Sequence, residues 1–303
     1  MRTGRIKIEV VQQQHAGPVY GLTNAWMPNA FFSASGDKHV AMWNAQTLEQ
    51  APFAVRLEQP AYCCAADPSG KWLLVGTSAG QIHVLDVIGG VEVRNLTAHQ
   101  NGVYHLAFFA NGEKFISCGA DGLLTIWEVA QWKPLRVLPL GTQKLRKAIF
   151  FSQEQYLAIA SQEGKIHVME TNLFNEIITI EAHADGVNSL CFHDQKNVMI
   201  SGGKDGFIRV WNMRDHGRKL LELPAHYSAV YALALSPNQK KLVSTSRDKS
   251  FKLWDMTDFS VLDRLEARDG GHAHSVNDVI WIDADHFVTC GDDRKIILSS
   301  VHD

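Results

Sequence analysis

Histidine, serine and aspartate recur together along this 303-residue chain, and hydrolases build a nucleophile and its base from these residue types. The stretches are Ser-Ala-Ser-Gly-Asp37-Lys-His-Val-Ala-Met-Trp43, Ser-Cys-Gly-Ala-Asp121-Gly-Leu-Leu-Thr-Ile-Trp127, Ser-Gly-Gly-Lys-Asp205-Gly-Phe-Ile-Arg-Val-Trp211 and Ser-Thr-Ser-Arg-Asp248-Lys-Ser-Phe-Lys-Leu-Trp254. In each, an aspartate stands six residues before a tryptophan, and a histidine (His15, His99, His183 or His226) stands 22 residues before the aspartate. Catalysis needs one such set with an exposed nucleophile. Here the set repeats, tied to strand ends and a tight turn, and no Gly-x-Ser-x-Gly elbow occurs. Structural residues behave this way, so no catalytic residue is expected. His272 and His274 near Asp278 are metal-ligand types, but His272 belongs to the repeat and a third ligand at fixed spacing is missing. Gly89-Gly90 and Gly270-Gly271 read as turns, not as a phosphate-cradling loop. Neither metal nor cofactor is expected.

The tryptophans expose a longer order. Trp43, Trp127 and Trp211 are spaced 84 residues apart, which is twice 42, and the midpoints hold Leu85 and Met169. These end Gly80-Gln-Ile-His-Val-Leu85 and Gly164-Lys-Ile-His-Val-Met169, two worn copies of one unit that keep a shared core. A seventh copy runs from His272 through Asp293 to Ser299, which replaces the tryptophan. Markers at 43, 85, 127, 169, 211, 254 and 299 therefore divide nearly the whole chain into seven units, the signature of a repeat array.

The third unit shows what each contains. Val103–Phe109 reads as a strand, Asn111-Gly112 as a turn, and Lys114–Cys118 as a second strand. Asp121-Gly122 is a two-residue hairpin signal leading to a third strand, Leu123–Glu128, and Leu135–Leu138 is a fourth. Several strands are apolar on both faces, as sheets sandwiched between neighbours require. No long amphipathic helix is expected. One orphan strand, Ile6–Val11, precedes His15, while the last unit stops four residues past Ser299 and lacks its fourth strand. Pairing the first strand with the last unit would close a ring and remove its open edges.

The Trp254-Asp255 dipeptide (Trp-Asn or Trp-Glu in other units), the aspartate before it and the preceding histidine resemble the WD-repeat family over about residues 5–303. That resemblance implies an all-β fold, a seven-bladed β-propeller of four-stranded antiparallel blades forming a single domain over residues 1–303. It also implies a hydrogen-bonded tetrad within a blade, with serine or threonine eight residues before the tryptophan. Carried over, the tetrad is complete in the first copy (His15, Ser35, Asp37, Trp43) and the sixth (His226, Ser246, Asp248, Trp254). The third (His99, Asp121, Trp127) and fifth (His183, Asp205, Trp211) have Gly119 and Gly203 at the serine position. The second and fourth lack the set, and the seventh keeps His272 and Asp293. Glu163, at the aspartate position without its histidine, is expected to be solvent-exposed.

Composition bounds the function. Hydrophobic residues make up 46% and charged residues 20%, ordinary for a soluble globular chain. A net charge of −3 offers no overall attraction to nucleic acid or an anionic membrane. Cys63, Cys64, Cys118, Cys191 and Cys290 read as small buried side chains, not as a disulfide framework. With no signal-like segment and no run of 18 apolar residues, the chain reads as cytoplasmic.

Aligning the units places Tyr20, Tyr62, Tyr104, Arg146, Asn188, Tyr231 and Asn277 at one position of the first strand, which the resemblance implies is innermost, near the narrow mouth of a central channel. Tyrosine and arginine dominate protein interfaces. Lys204 and Arg247, just before the turn aspartates, add cations on blades five and six. The family's usual docking face is the end that bears the His loops and Asp turns. The expected function is a non-catalytic scaffold or adaptor binding proteins or peptides there, including peptides with an acidic segment. The competing structural reading has the tyrosines plug the channel. A second function class is an RNA- or ribosome-associated assembly factor, from the basic runs Lys144–Lys147, Arg214–Lys219 and Lys240-Lys241. These are short and not interleaved with aromatics, which argues against nucleic acid. No small-molecule substrate is expected.

Overall fold

A computed structural model describes residues 4–302, so the outermost positions of the 1–303 domain, residues 1–3 and 303, lie outside the described residues. It contains seven four-stranded antiparallel sheets. In the third unit the strands are Val103–Phe109, Lys114–Gly119, Leu123–Glu128 and Lys133–Pro139, hydrogen-bonded in that order from the axis outward. The other six sheets repeat the pattern, and the innermost strand of each packs on that of the next, blade seven returning to blade one. Helix among the described residues is confined to two three-residue turns, Ala110–Gly112 and Ala267–Asp269.

The ring closes with the first strand. Arg5–Gln12 runs antiparallel to Ile296–His302, from Arg5 opposite His302 to Gln12 opposite Ile296, and completes blade seven. The Ile6 N–H also donates to Asp263 of blade six at 2.8 Å, so the closing strand fastens two blades.

The core is distributed over seven apolar clusters, one in each gap between adjacent blades. Trp43, Trp127, Trp211 and Trp254 each face the preceding blade, and Leu85 and Met169 fill the same place in the worn units. At the far ends of the blades a second wedge appears. Leu48, Trp132, Phe174 and Phe259 sit in the turn between third and fourth strands with φ of 55°, 55°, 55° and 59°. A side chain at positive φ costs about 1–2 kcal/mol. Burying a large apolar side chain returns about 1.5–3 kcal/mol, so the wedge wins. Trp132 meets Trp72 of the preceding blade edge-on at 5.3 Å, and Phe174 meets Phe109 at 6.2 Å.

The structure corrects the tetrad. The serine is not eight residues before the tryptophan but ten: Ser33, Ser117, Ser201 and Ser244. In blade one, His15 Nε2 lies 2.8 Å from Ser33 Oγ, Trp43 Nε1 donates to that oxygen at 2.7 Å, and His15 Nδ1 lies 2.8 Å from Asp37. Blades three, five and six repeat this geometry through Ser117, Ser201 and Ser244. Four blades, not two, therefore carry all four members. Ser35 and Ser246 instead brace the turn, each accepting the N–H of the aspartate two residues on. The eight-residue assignment failed because strand alternation puts both positions on one side, and only the longer interval reaches under the indole. Blade seven substitutes Thr289, 3.0 Å from His272 Nε2, and leaves Ser299 Oγ buried with no hydrogen-bond partner.

Glu163 is also corrected: it is half-buried, and its carboxylate accepts the Thr142 N–H at 2.8 Å. In blades one, three and six the aspartate caps the same loop position, Asp37 for Ala16, Asp121 for Gln100 and Asp248 for Tyr227. Gly141, where the complete units have histidine, leaves room, since a Cβ there would sit 2.6 Å from Glu163. The longer acid does the capping half of the aspartate's work without the imidazole.

In blades three and six the network suits a neutral imidazole. A carboxylate only accepts, so Nδ1 carries the proton, while serine takes the indole N–H and donates to Nε2. Burial pushes His99, His183 and His226 below the usual histidine range against the pull of their aspartates, and His183, with Arg209 beside it, falls to about 4. Burial would raise Asp37, Asp205, Asp248 and Asp293, but hydrogen bonds from histidine or Arg209 and from backbone N–H groups outweigh it and hold them low. Between pH 6.5 and about 4 the unfolded chain binds a proton at His183 that the folded chain refuses. Stability is therefore complete above 6.5 and falls on acidification by about 1.4 kcal/mol per pH unit for each such histidine. The aspartates add a second loss below their ordinary 3.8. Urea midpoints at neutral pH and pH 5 test this, and a midpoint that holds or rises at pH 5 refutes it.

Candidate functional site at the channel mouth

Every innermost strand carries a β-bulge at the same place. Register slips between Val19 and Gly21, Ala61 and Cys63, Val103 and His105, Leu145 and Lys147, Val187 and Ser189, Val230 and Ala232, and Val276 and Asp278. The skipped residues are Tyr20, Tyr62, Tyr104, Arg146, Asn188, Tyr231 and Asn277, the positions singled out from sequence. A bulge re-aims side chains and sets two successive residues toward one side. Here that side is a central cavity of about 640 Å³, which all seven line.

Four of them form a continuous arc. Tyr20 meets Tyr62 edge-on at 5.4 Å, Tyr62 stacks on Tyr104 at 5.5 Å, and the Arg146 guanidinium lies 4.7 Å from the Tyr104 ring centre. Lys144 approaches the same ring at 5.1 Å. Glycines admit these rings: a Cβ on Gly36 would lie 3.0 Å from Tyr20, and one on Gly102 2.9 Å from Tyr62. Burial lowers the Arg146 pKa, and its Nε has no hydrogen-bond partner. The two asparagines are staples: Asn188 Nδ2 donates to Val230 O at 3.0 Å, and Asn277 Nδ2 to Val19 O at 2.9 Å, each reaching the following blade. Lys204 and Arg247 are exposed on the same face, and among the described residues neither side chain is ion-paired.

Two features escaped the sequence reading. Tyr227, immediately after His226, is 90% exposed beside Arg264, whose guanidinium lies 5.5 Å from its ring. It lies outside the aligned ring, and only its place in a His loop could have marked it. The bulge also turns the residue after each ring position inward, so Cys63, His105, Lys147, Ser189 and Asp278 line the cavity one layer deeper. Asp278 thereby brings an acidic group to the channel wall.

The remaining candidates resolve simply. His272 is taken by Asp293 and Thr289, and Asp278 by the N–H groups of Leu22 and Val279, so these residues do not converge on a metal. Among the described residues, no group of three or more His, Cys, Asp or Glu is placed to hold a metal ion. His83 and His167 pair with Glu92 and Glu176 at 2.9 and 3.1 Å. The five cysteines are free thiols, four of them buried, and burial pushes Cys63 up to about 12. No helix among the described residues is long and apolar enough to cross a membrane.

Seven closed four-stranded blades with a histidine–serine–tryptophan network define a β-propeller of repeating units. The description "WD domain, G-beta repeat" matches residues 90–128, 174–212 and 217–255. Each match spans the outer strand of one blade and three strands of the next, ending one residue past Trp127, Trp211 or Trp254. The chain thus holds three WD repeats within a seven-bladed β-propeller.

Among curated relatives, WD repeat-containing protein 1 of Xenopus tropicalis is 27% identical over 157 residues, covering 50% of this chain and 26% of the relative. Transcription factor unc-37 of Caenorhabditis elegans is 26% identical over 184 residues, covering 61% and 30%. THO complex subunit 6 homolog of Danio rerio is 24% identical over 170 residues, covering 48% and 51%. The matched part of this chain spans between about a quarter and a half of these relatives.

Proposed function

We propose that the protein is a non-catalytic interaction scaffold whose partner docks on the face bearing the His loops and Asp turns. The observation that carries this reading is the arc Tyr20–Tyr62–Tyr104–Arg146, thrown onto one rim by matching bulges and flanked by the unpaired cations Lys204 and Arg247. Rings at an interface give large contact area at low entropic cost, and cations select carboxylates or phosphates. The partner is accordingly a protein segment with an aromatic or apolar anchor and an acidic or phosphorylated stretch, with Tyr227 extending the contact outward. A subunit role in an assembly accords with the name of the Danio rerio relative.

The alternative, an RNA-associated assembly factor, draws less support. Of the basic runs, Lys144–Lys147 splits between rim and channel, while Arg218 and Lys219 are ion-paired with Asp215 and Glu222. Affinity purification with mass spectrometry should identify a partner, whose binding to Tyr104→Ala and Arg146→Glu is then measured. Each substitution should weaken it by about tenfold or more, the loss of one interface anchor. Unaltered affinity in both removes the docking face, and salt-dependent RNA binding by the wild type would favour the alternative.

A further inference from the structure

Beneath the rim the channel is electrically two-sided. Arg146 and Lys147 come from blade four, with His105 beside them on blade three. Burial, reinforced by the charge of Lys147, drives His105 well below the usual histidine range, so the lysine and arginine are the cations of that wall. Blade seven, on the far side of a seven-membered ring, presents Asp278 at the depth of Lys147 and Asp292 near the mouth. The charge of Lys147 acts on Asp278 across the cavity, yet among the described residues these two form no ion pair.

Neither pole is neutralised by an opposite charge among the described residues. Among them the Lys147 ammonium is in no ion pair, and Arg146 leaves a buried Nε without a partner while its guanidinium leans on Tyr104. Asp278 holds two backbone N–H groups, but burial still raises its carboxyl above the usual range, a penalty an incoming cation would relieve. The cavity of about 640 Å³ lies within the size of small-molecule sites.

We infer that the deep channel binds a small zwitterion of the amino-acid type, its carboxylate on Lys147 and Arg146 and its ammonium on Asp278. A simple anion would leave Asp278 unanswered, and a simple cation would face the lysine. This site reaches from Arg146 at the rim down to Lys147 and Asp278, and its charge comparison stands whether or not the rim docks a protein.

The test needs no knowledge of the natural ligand. Wild-type protein is titrated with 6-aminohexanoate, with hexanoate and hexylamine as single-charge controls of equal length, and followed by amide NMR. The zwitterion should shift amides of the innermost strands around Lys147 and Asp278, and each control should bind at least about tenfold more weakly. Varying the chain from 4-aminobutyrate to 8-aminooctanoate should reveal an optimum length, the separation of the poles. Lys147→Met and Asp278→Asn should each abolish the preference for the zwitterion while leaving the fold intact. The proposal fails if no zwitterion shifts these amides at about 10 mM, an affinity too weak to matter, or if hexanoate binds as well as 6-aminohexanoate. Because the charge comparison is made on the wild type, it stands even if a variant does not fold.

Discussion

Deleting residues 1–12 will lower stability by more than about 5 kcal/mol, comparable with the whole stability of an ordinary domain. The cut removes the outer strand of blade seven, whose register runs the length of Ile296–His302. It strips cover from Ile296, Ile297, Leu298 and Val301, all under 10% exposed, and takes away the buried Ile6. Each lost apolar side chain costs about 1.5–3 kcal/mol and each ladder hydrogen bond about 1 kcal/mol. The bond from Ile6 N–H to Asp263 goes too, so blade six loosens with blade seven. The freed edge would also recruit other chains, so aggregation should accompany unfolding. Thermal unfolding of the truncated chain gives the answer, and an unchanged midpoint overturns the closure.

The second large effect belongs to a single hydroxyl. Ser117→Ala will cost about 2–6 kcal/mol, because two buried groups, His99 Nε2 and Trp127 Nε1, lose their partner at once, at about 1–3 kcal/mol each. The change that alignment suggests as a repair, Gly119→Ser, should make matters worse, since a Cβ there would lie 2.2 Å from His99 Nδ1. Urea denaturation of both variants decides between the serine positions. A Ser117→Ala protein within about 0.5 kcal/mol of wild type, the range of a neutral surface change, would remove Ser117 from the network.

What could be read in advance was whatever the repeat multiplies. Seven markers at near-constant spacing announced seven units, and an unpaired strand at one end with a missing strand at the other announced closure. The ring of Tyr20, Tyr62, Tyr104 and Arg146 was legible because it recurs at one offset. Less visible was anything that depends on a local departure from regular geometry. The bulge shifts register by one residue, so alternation alone could not say that Lys147 and Asp278 face the same space as their neighbours. The tetrad serine was misplaced because two serines two residues apart share a face, and only the reach of the indole tells them apart. Glu163 was misjudged because the glycine that accommodates it, Gly141, lies in the preceding loop.

The bulky residues in left-handed turns carry a consequence of direction. Leu48, Trp132, Phe174 and Phe259 all lean on the blade before their own, as do the tetrad tryptophans, so these apolar wedges all point one way round the circle. A defect introduced in one blade is thus felt by its predecessor. Trimming Trp132 should first speed amide exchange around Trp72, upstream in the chain, while its own hairpin stays protected.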